Sequence, residues 1–488
     1  MSKTKDQIEH NTTEDQTTYP CTDTGNMERF VDQHKDHIRS LGSAKAWLIW
    51  DGSRWKPSGY SEAFEYAMKT IYSISDEVEH AANIQEAQMI QKWALASQSE
   101  PKTRAMLNMA ANHPELLTSA SAFDADKMKL NCLNGVVDLT AGKLLERDPN
   151  DLHTKLVNVK FDPDAKCPTF DRFLKDVFCH DHELLSWVQR AFGYTMTGSV
   201  QEQVLFICYG IGANGKSTLL ETISKILGDY STNVDFELFL TNQKSDVRIM
   251  EAVGEMKSIR LALASEVDST KRFNESLVKR LTGGDTLRGT KLHTGAFQFE
   301  PNHKLWFLTN HLPFARDGSH GYWRRIKIIP FDARFEGETL DSTLPDKLWA
   351  EREGILAWLV RGAKEWVDTL NRNGGNTGLG SCEAVDKAVQ QYRLDNDHTT
   401  SFIDECLDLE DGVGNLGARE LYTTYQSWWR DNLDDEIPSE AIFSRRMEER
   451  GLKKRRTKAG YVYDNVKVVV STKYDLPYNF SRPKQTKV

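Results

Sequence analysis

The chain has 488 residues, 62 Lys and Arg against 71 Asp and Glu, and a formal net charge of −9. A hydrophobic fraction of 39%, with 10% aromatic residues, supplies ordinary packed cores and excludes wholesale disorder; the length suits about three domains. A mean hydropathy of −0.55 and the lack of any apolar run near the ~18 residues of a spanning helix argue against a membrane protein, and the acidic average argues against nucleic acid unless the basic residues are gathered locally.

Residues 1–30 are polar and read as a flexible tail. From Phe30 to about Ala120 the pattern is mostly helical, with runs beginning at Ser61 and covering Asp76–Ser97. Trp47–Trp55 reads instead as a strand, a tight Asp51-Gly52 turn and a second strand. Leu133–Leu139 followed by Gly142-Lys143-Leu144 is a further hairpin signal, and Phe170–Gly193 reads as helices. Cys167, Cys179, His180 and His182 lie near one another, but with no CxxC pair and no matching second half they read as packing or surface residues rather than zinc ligands. The seven cysteines are odd in number and irregularly spaced, and the opening Met1-Ser2-Lys3-Thr4-Lys5 has no apolar signal core. Both observations point to a reducing, cytoplasmic setting.

The character changes at Gln203. The apolar runs Val204–Cys208, Ile259–Ala264, Lys304–Thr309 and Ile326–Pro330 alternate with helical segments, which predicts an α/β sheet. Val204–Cys208, apolar without alternation, suits a central parallel strand. It feeds Gly210-Ile211-Gly212-Ala213-Asn214-Gly215-Lys216-Ser217, a full G-x-x-x-x-G-K-[ST] match, and a helix pattern leaves that loop at Ser217 and meets Gly228. Glycines let main-chain N–H groups approach phosphates, and the helix N-terminus adds favourable partial charge. ATP is therefore expected on Gly210, Gly212, Ala213, Asn214, Gly215, Lys216, Ser217 and Thr218, with Lys216 bridging the β- and γ-phosphates and Ser217 a ligand of Mg²⁺. Glu266 ends the second run; its carboxylate suits the Mg²⁺ shell or the attacking water, and without an adjacent acid the two roles stay open. Asn310 ends the third run and suits contact with the γ-phosphate or the water. Arg324 and Arg325 precede the fourth and suit charge building on a transferred phosphoryl group.

Leu348–Leu370 is helical again, and Asn371–Gly380 reads as a loop. Ala418–Leu433 and Pro438–Glu449 read as two helices, followed by a basic hairpin over Leu452–Tyr463. Helix, helix, basic hairpin is a winged-helix order. It places Arg445, Arg446, Lys453, Lys454, Arg455 and Arg456 at duplex or origin DNA; a protein-docking or solvated face is the alternative.

The order of phosphate loop, single-Glu strand, Lys279–Asp285, strand ending in Asn310 and Trp323-Arg324-Arg325 resembles the superfamily 3 helicases, in the branch of phages, plasmids, mobile islands and poxviruses that is often fused to a primase. Trp47–Trp55, Leu133–Leu139 and Phe170–Gly198 resemble the domain that precedes this helicase, so the likeness covers roughly residues 40–470. The resemblance implies a tail at 1–30, a mainly helical α+β N-terminal domain at 31–198, an AAA+-like α/β P-loop ATPase core at 199–370 and a winged-helix domain within 371–488. It further implies a homo-oligomeric ring, usually a hexamer, in which Arg324 or Arg325 completes the neighbouring subunit's site. The segment Leu287–Gly295 would then form a channel hairpin gripping DNA through Arg288, Lys291 and His293. Asp124/Asp126, Asp162/Asp164 and Asp395/Asp397 do not end apolar strands with a third acid and a His nearby, so no primase site is expected, while a separate primase or polymerase partner stays open.

Charge agrees locally with these contacts. Residues 271–304 carry seven cations against three acids and residues 445–458 eight against two, whereas 401–440 carry eleven acids and two arginines. The expected function is an ATP-dependent, ring-forming DNA helicase acting on single-stranded and forked DNA of a mobile element. An origin-melting initiator, or a nucleotide-regulated AAA+ assembly that does not translocate, as in a defence system, stay open beside it.

Overall fold

A computed structural model describes residues 19–43, 46–240, 246–265, 273–291, 295–313, 320–337, 341–396, 398–410, 414–432, 437–458 and 460–469. The chain forms two compact units, one running to Ala388 and the other from Val389.

In the first unit, Thr22 caps the helix Asp23–His34, its hydroxyl accepting from the Gly25 N–H at 3.0 Å. That helix buries Phe30 and the Arg29 guanidinium, which donates to both carboxylate oxygens of Glu77 at 2.5 and 2.7 Å. The expected tail at 1–30 is thus corrected: residues 19–30 fold, because partners far along the chain satisfy Arg29 and cover Phe30, while residues 1–18 lie outside the described residues. The helices Tyr60–Ser73 and Glu100–Ala110 pack with the strands Ile38–Ser40, Trp47–Trp50 and Trp55–Ser58 around Phe30, Trp47, Ile71 and Leu107. The expected turn at Asp51-Gly52 is present. Gly52 takes φ +91°, and Asp51 Oδ1 accepts from the Ser53 and Arg54 N–H groups at 2.8 Å each. A second three-stranded sheet joins Lys129–Cys132, Gly135–Asp138 and Lys143–Leu145.

The remainder of this unit carries α1 (Pro168–Val177), α2 (His182–Met196), β1 (Leu205–Tyr209), α3 (Lys216–Leu227), β2 (Ser231–Asn233), α4 (Asp246–Glu255), β3 (Leu261–Ser265), α5 (Glu275–Thr282), β4 (Lys304–Thr309), β5 (Ile326–Pro330), α6 (Leu344–Ala350) and α7 (Arg352–Arg372). The five strands form one sheet in the order β5-β1-β4-β3-β2, every pair parallel. Four are the predicted apolar runs. β2 escapes prediction because Ser231-Thr232-Asn233 has no apolar residue and pairs only at the sheet edge.

Helices cover the sheet. Trp306 of β4 stacks on Phe206 of β1 at 4.4 Å and on Phe192 of α2 at 4.2 Å. α2 and α7 cross with their backbones touching, since a Cβ on Gly193 would fall 2.0 Å from the Gly362 carbonyl carbon. One apolar cluster accordingly runs from Leu130 to Val385, and the expected boundary at 198/199 falls inside it. Buried cations close the amino-terminal side of the sheet. Arg260, just before β3, donates to the carbonyls of Lys127, Met196, Lys129 and Asp126 at 2.7, 3.1, 3.2 and 3.3 Å. Lys304, opening β4, donates to the carbonyls of Thr197, Ser199 and Asn302.

The second unit holds the helices His398–Cys406, Ala418–Asn432 and Glu440–Glu449 around Phe402, Leu421, Tyr425, Trp428, Trp429, Phe443 and Met447. Its three-stranded sheet runs in the order Asn415–Gly417, Gly460–Asp464, Lys454–Thr457. Among the described residues, no helix is long and apolar enough to cross a membrane.

Two outcomes follow from the buried cations and their neighbour His303. Arg260→Met strips donors from four buried carbonyls and should cost on the order of 3 kcal/mol in chemical unfolding. Burial holds the His303 imidazole down at about 4, below its usual 6.5. Between those values the unfolded chain binds the proton and the folded chain does not, so stability is full above pH 6.5 and falls as the pH drops towards 4. Urea titrations across that range should show the decline, on the order of 3 kcal/mol at most from this residue, and His303→Gln should remove that share while leaving the part due to His34, which burial likewise holds at about 4.

Candidate functional site

The loop Gly210–Gly215 leaves the carboxyl end of β1, where parallel α/β sheets place their ligands. Three contacts hold it. The Asn214 amide donates to the Phe331 carbonyl at 3.1 Å and to that of Ile211 at 3.3 Å. The Phe335 N–H donates to the Ala213 carbonyl at 2.8 Å. Gly215, at φ +84°, lies so close to α1 that a Cβ there would sit 2.8 Å from Val177 Cγ2 and 3.1 Å from Phe173 Cε2. Ala213 is held at φ +56°, a conformation costing a residue with a Cβ roughly 1–2 kcal/mol. The loop is therefore built by its surroundings as much as by its glycines.

α3 begins at Lys216, and its side chain is buried. The Lys216 ammonium donates to the Gly210 carbonyl and to Asn310 Oδ1, the latter at 3.1 Å. Burial pulls its pKa below the ordinary lysine value. Asn310 reaches it because β4 pairs with β1 so that Thr309 stands opposite Tyr209, which levels Asn310 with Gly210. Ser217 is exposed on the first turn of α3, with Thr218 half-buried beside it. Glu266 lies outside the described residues; the strand leading to it ends at Ser265, opposite Leu308 on β4.

Arg324 and Arg325 stand elsewhere. The Arg325 carbonyl accepts from the Leu205 N–H at 2.8 Å, so both arginines flank the amino-terminal end of β1. The five residues of β1, about 16 Å of strand, separate them from the loop. Arg324 is exposed and donates to Gln203 Oε1 at 2.5 Å, and Arg325 donates to the Gly321 carbonyl.

The expected hairpin pairs Leu287–Lys291 with Gly295–Phe299, closing at Lys291 opposite Gly295. It rests on α4 through glycines, a Cβ on Gly289 falling 2.5 Å from Gly254 Cα. Arg288 is exposed on its first strand; His293 lies outside the described residues. In the second unit Arg445 is exposed and Arg446 half-buried on one helix. Exposed Lys453 leads into the strand that bears half-buried Lys454 and exposed Arg455 and Arg456. Arg455 already pairs with Asp464 at 2.5 Å.

The family described as D5 N terminal like matches residues 27–179. A putative helicase, L207/L206, of Acanthamoeba polyphaga mimivirus is 26% identical over 328 residues, 63% of this chain and 33% of that protein. The putative helicase 184R of Invertebrate iridescent virus 6 is 23% identical over 486 residues, 84% of this chain and 50% of that protein.

The chain carries a D5 N terminal like domain and is a homologue of viral proteins named putative helicases.

It spans a third to a half of the length of those two relatives. The D5 N terminal like match ends just beyond α1, so the helix against Gly215 falls within it. Residues 208–325, containing the loop, Asn310 and both arginines, match a family of unknown function. Among solved structures, the apo C-terminal region of NrS-1 covers 91% of this chain and 100% of that chain, at TM-score 0.49 and 11% identity.

Sequence reasoning missed Phe331 and Phe335 as parts of the site, and α1 as its wall. No local pattern marks them; they become neighbours of the loop only when β5 pairs beside β1. The geometry separates two glycines of the loop. A Cβ on Gly210 would meet the Phe331 oxygen at 2.3 Å and Asn214 Nδ2 at 2.5 Å, whereas nothing lies within 4 Å of one on Gly212. Gly210→Ala should therefore destabilise by about 1–3 kcal/mol, and Gly212→Ala by less than about 0.5 kcal/mol, in paired thermal unfolding experiments.

Proposed function

We propose that this chain is the ATP-driven motor of a DNA helicase that replicates a mobile or viral genome. The observation that carries the reading is the meeting of Lys216 and Asn310 at the carboxyl ends of two adjacent parallel strands, beside a glycine loop that opens a helix. A cation and an amide meet there beside the main chain of a glycine loop, and a nucleoside triphosphate needs such a set. In an AAA+-like P-loop core, ATP would lie along Gly210–Thr218. Mg²⁺, which screens the phosphate charge when bound, would take the exposed Ser217 hydroxyl, with the Glu266 carboxylate beyond the end of β3. Lys216 holds its positive charge towards the phosphates, and Asn310 orients it.

The position of Arg324 and Arg325 supports a ring, a hexamer by the family's habit. Because they flank the far end of β1, they serve a nucleotide only on an adjacent copy of the chain. The hairpin with Arg288, Lys291 and His293 would then line the channel and grip the backbone of single-stranded or forked DNA without reading sequence. The second unit, in which the helices Ala418–Asn432 and Glu440–Glu449 precede the basic strand of a three-stranded sheet, suits a winged helix whose Arg445, Arg446, Lys453, Lys454 and Arg456 touch duplex phosphates; Arg455 is partly neutralised by Asp464. A primase would be a separate partner.

Lys216→Ala should abolish ATP hydrolysis and strand displacement while shifting the unfolding midpoint little. Arg324→Ala and Arg325→Ala should be tested by mixing each with wild type: a trans-acting arginine gives mixed assemblies whose activity falls faster than the mutant fraction rises. A Lys216→Ala chain that still unwinds a forked duplex, or a wild type that stays monomeric with ATP and forked DNA, sinks the reading.

A further inference from the structure

α4 backs the hairpin directly. A Cβ on Gly254 would fall 2.2 Å from the Thr290 carbonyl oxygen, and one on Gly289 would fall 2.5 Å from Gly254 Cα and 3.4 Å from the Met250 carbonyl oxygen. The two backbones therefore touch with no side chain between them. Beside Met250 a cavity of about 470 Å³ opens between α4 and α5, and the function above does not use it. Among the described residues its apolar lining is buried Leu277 of α5 with half-buried Ile249 and Met250 of α4. The rest of that lining is polar. Asp246 opens α4, Asn274 and Ser276 stand at the first turn of α5, and Arg280 lies one turn further on.

These polar groups are largely unspent. The Asn274 oxygen accepts from the Leu277 N–H at 3.1 Å and so caps α5. Among the described residues, the side chains of Asp246, Ser276 and Arg280 make no hydrogen bond or ion pair, although Asp246 and Arg280 carry opposite charges on one cavity. Elsewhere in this unit such pairs close, as Lys127 does on Glu300 at 3.0 Å and Lys364 on Asp368 at 2.6 Å. An apolar slot with a few unspent polar groups is the ordinary form of a small-ligand site. A carboxylate and a guanidinium that do not meet across it suit a ligand with a donor edge, a negative charge and apolar faces between them. A nucleotide is such a molecule.

We propose that this cavity takes one unpaired nucleotide of the strand that the hairpin grips: the base enters against Leu277, Ile249 and Met250, its donor edge faces Asp246, and its phosphate lies on Arg280. The inference rests on the DNA reading above and adds a base-dependent contact to it. A carboxylate accepts two parallel N–H bonds from the Watson–Crick edge of guanine and one from that of thymine, so the slot favours guanine. Since α4 lies against the hairpin, this base contact stands beside the phosphate contact offered by exposed Arg288.

The test uses the full chain and single strands of one length in three forms: oligo-thymidine, the same strand with guanine at every third position, and an abasic strand. Wild type should bind the guanine-bearing strand about ten-fold more tightly than oligo-thymidine, and the abasic strand more weakly than either. Asp246→Asn should erase the guanine preference, whatever its effect on overall affinity. Ser276 is exposed, so Ser276→Leu narrows the mouth without entering the core. It should lower both base-bearing strands to the abasic level and leave the abasic strand and the unfolding midpoint unchanged. No guanine preference in wild type, a preference that survives Asp246→Asn, or an abasic strand bound as tightly as the others overturns the proposal. So does free dGMP whose binding is lost in Ser276→Leu while strand binding is untouched, since the site would then serve a free nucleotide. Wild type that binds none of the three strands brings down the DNA reading itself, and this contact with it.

Discussion

The parallel pairing of β1 between β4 and β5 is the constraint on which the rest depends. Each neighbour delivers something to the loop at the carboxyl end of β1. Register with β4 levels Asn310 with Gly210 and lets it accept from Lys216. Register with β5 carries Phe331 beside Tyr209, where its carbonyl accepts from Asn214, and sends Phe335 back to Ala213. A slip of either strand by one residue would turn every side chain to the other face. The stack of Phe192, Trp306 and Phe206 resists that slip, because it would break against α2.

The same sheet has two chemically different ends. The carboxyl end gathers the loop, Lys216 and Asn310. The amino end is closed by Arg260 and Lys304, both buried and answered by carbonyl oxygens. A guanidinium that spreads several donors over neighbouring carbonyls can cross a packed interface without a carboxylate, at the cost of fixing those backbones closely. Arg260 thereby locks residues 126–129 and the end of α2 onto β3. The domain that precedes the sheet is fastened at the amino end by Arg260 and touches the loop at the other end through α1.

Much of this was legible beforehand. The apolar runs of β1, β3, β4 and β5, the loop and the helix that leaves it stand where periodicity and turn chemistry put them, within a residue or two, while the hairpin turning at Asp51-Gly52 is present with its second strand shifted on to Trp55–Ser58. The failures share a cause. Residues 19–30 look polar, yet fold because Glu77 answers Arg29 from 48 residues away. β2 has no hydrophobic signature because it is an edge strand. The boundary expected at 198/199 disappears because α2 lies against α7, and the glycines permitting that contact, Gly193 and Gly362, are far apart in the chain. The division near the C-terminal end comes at 388/389 rather than 370/371, since Leu379, Cys382 and Val385 still pack into the first core.

By itself the sequence marked which residues could do chemistry, because local spacing limits local geometry: four intervening residues between Gly210 and Gly215, then Lys216 and Ser217, are the spacing expected of an anion-binding turn. It also determined that basic charge is concentrated in two segments of an acidic chain. Tertiary structure alone decided which of those residues meet. It joined Lys216 to Asn310 across 94 positions of sequence, set Arg324 and Arg325 at the opposite end of β1, and opened a cavity between α4 and α5 beside the hairpin. The reason is that strand order and register are settled by burial summed over the whole sheet, a quantity no single segment carries.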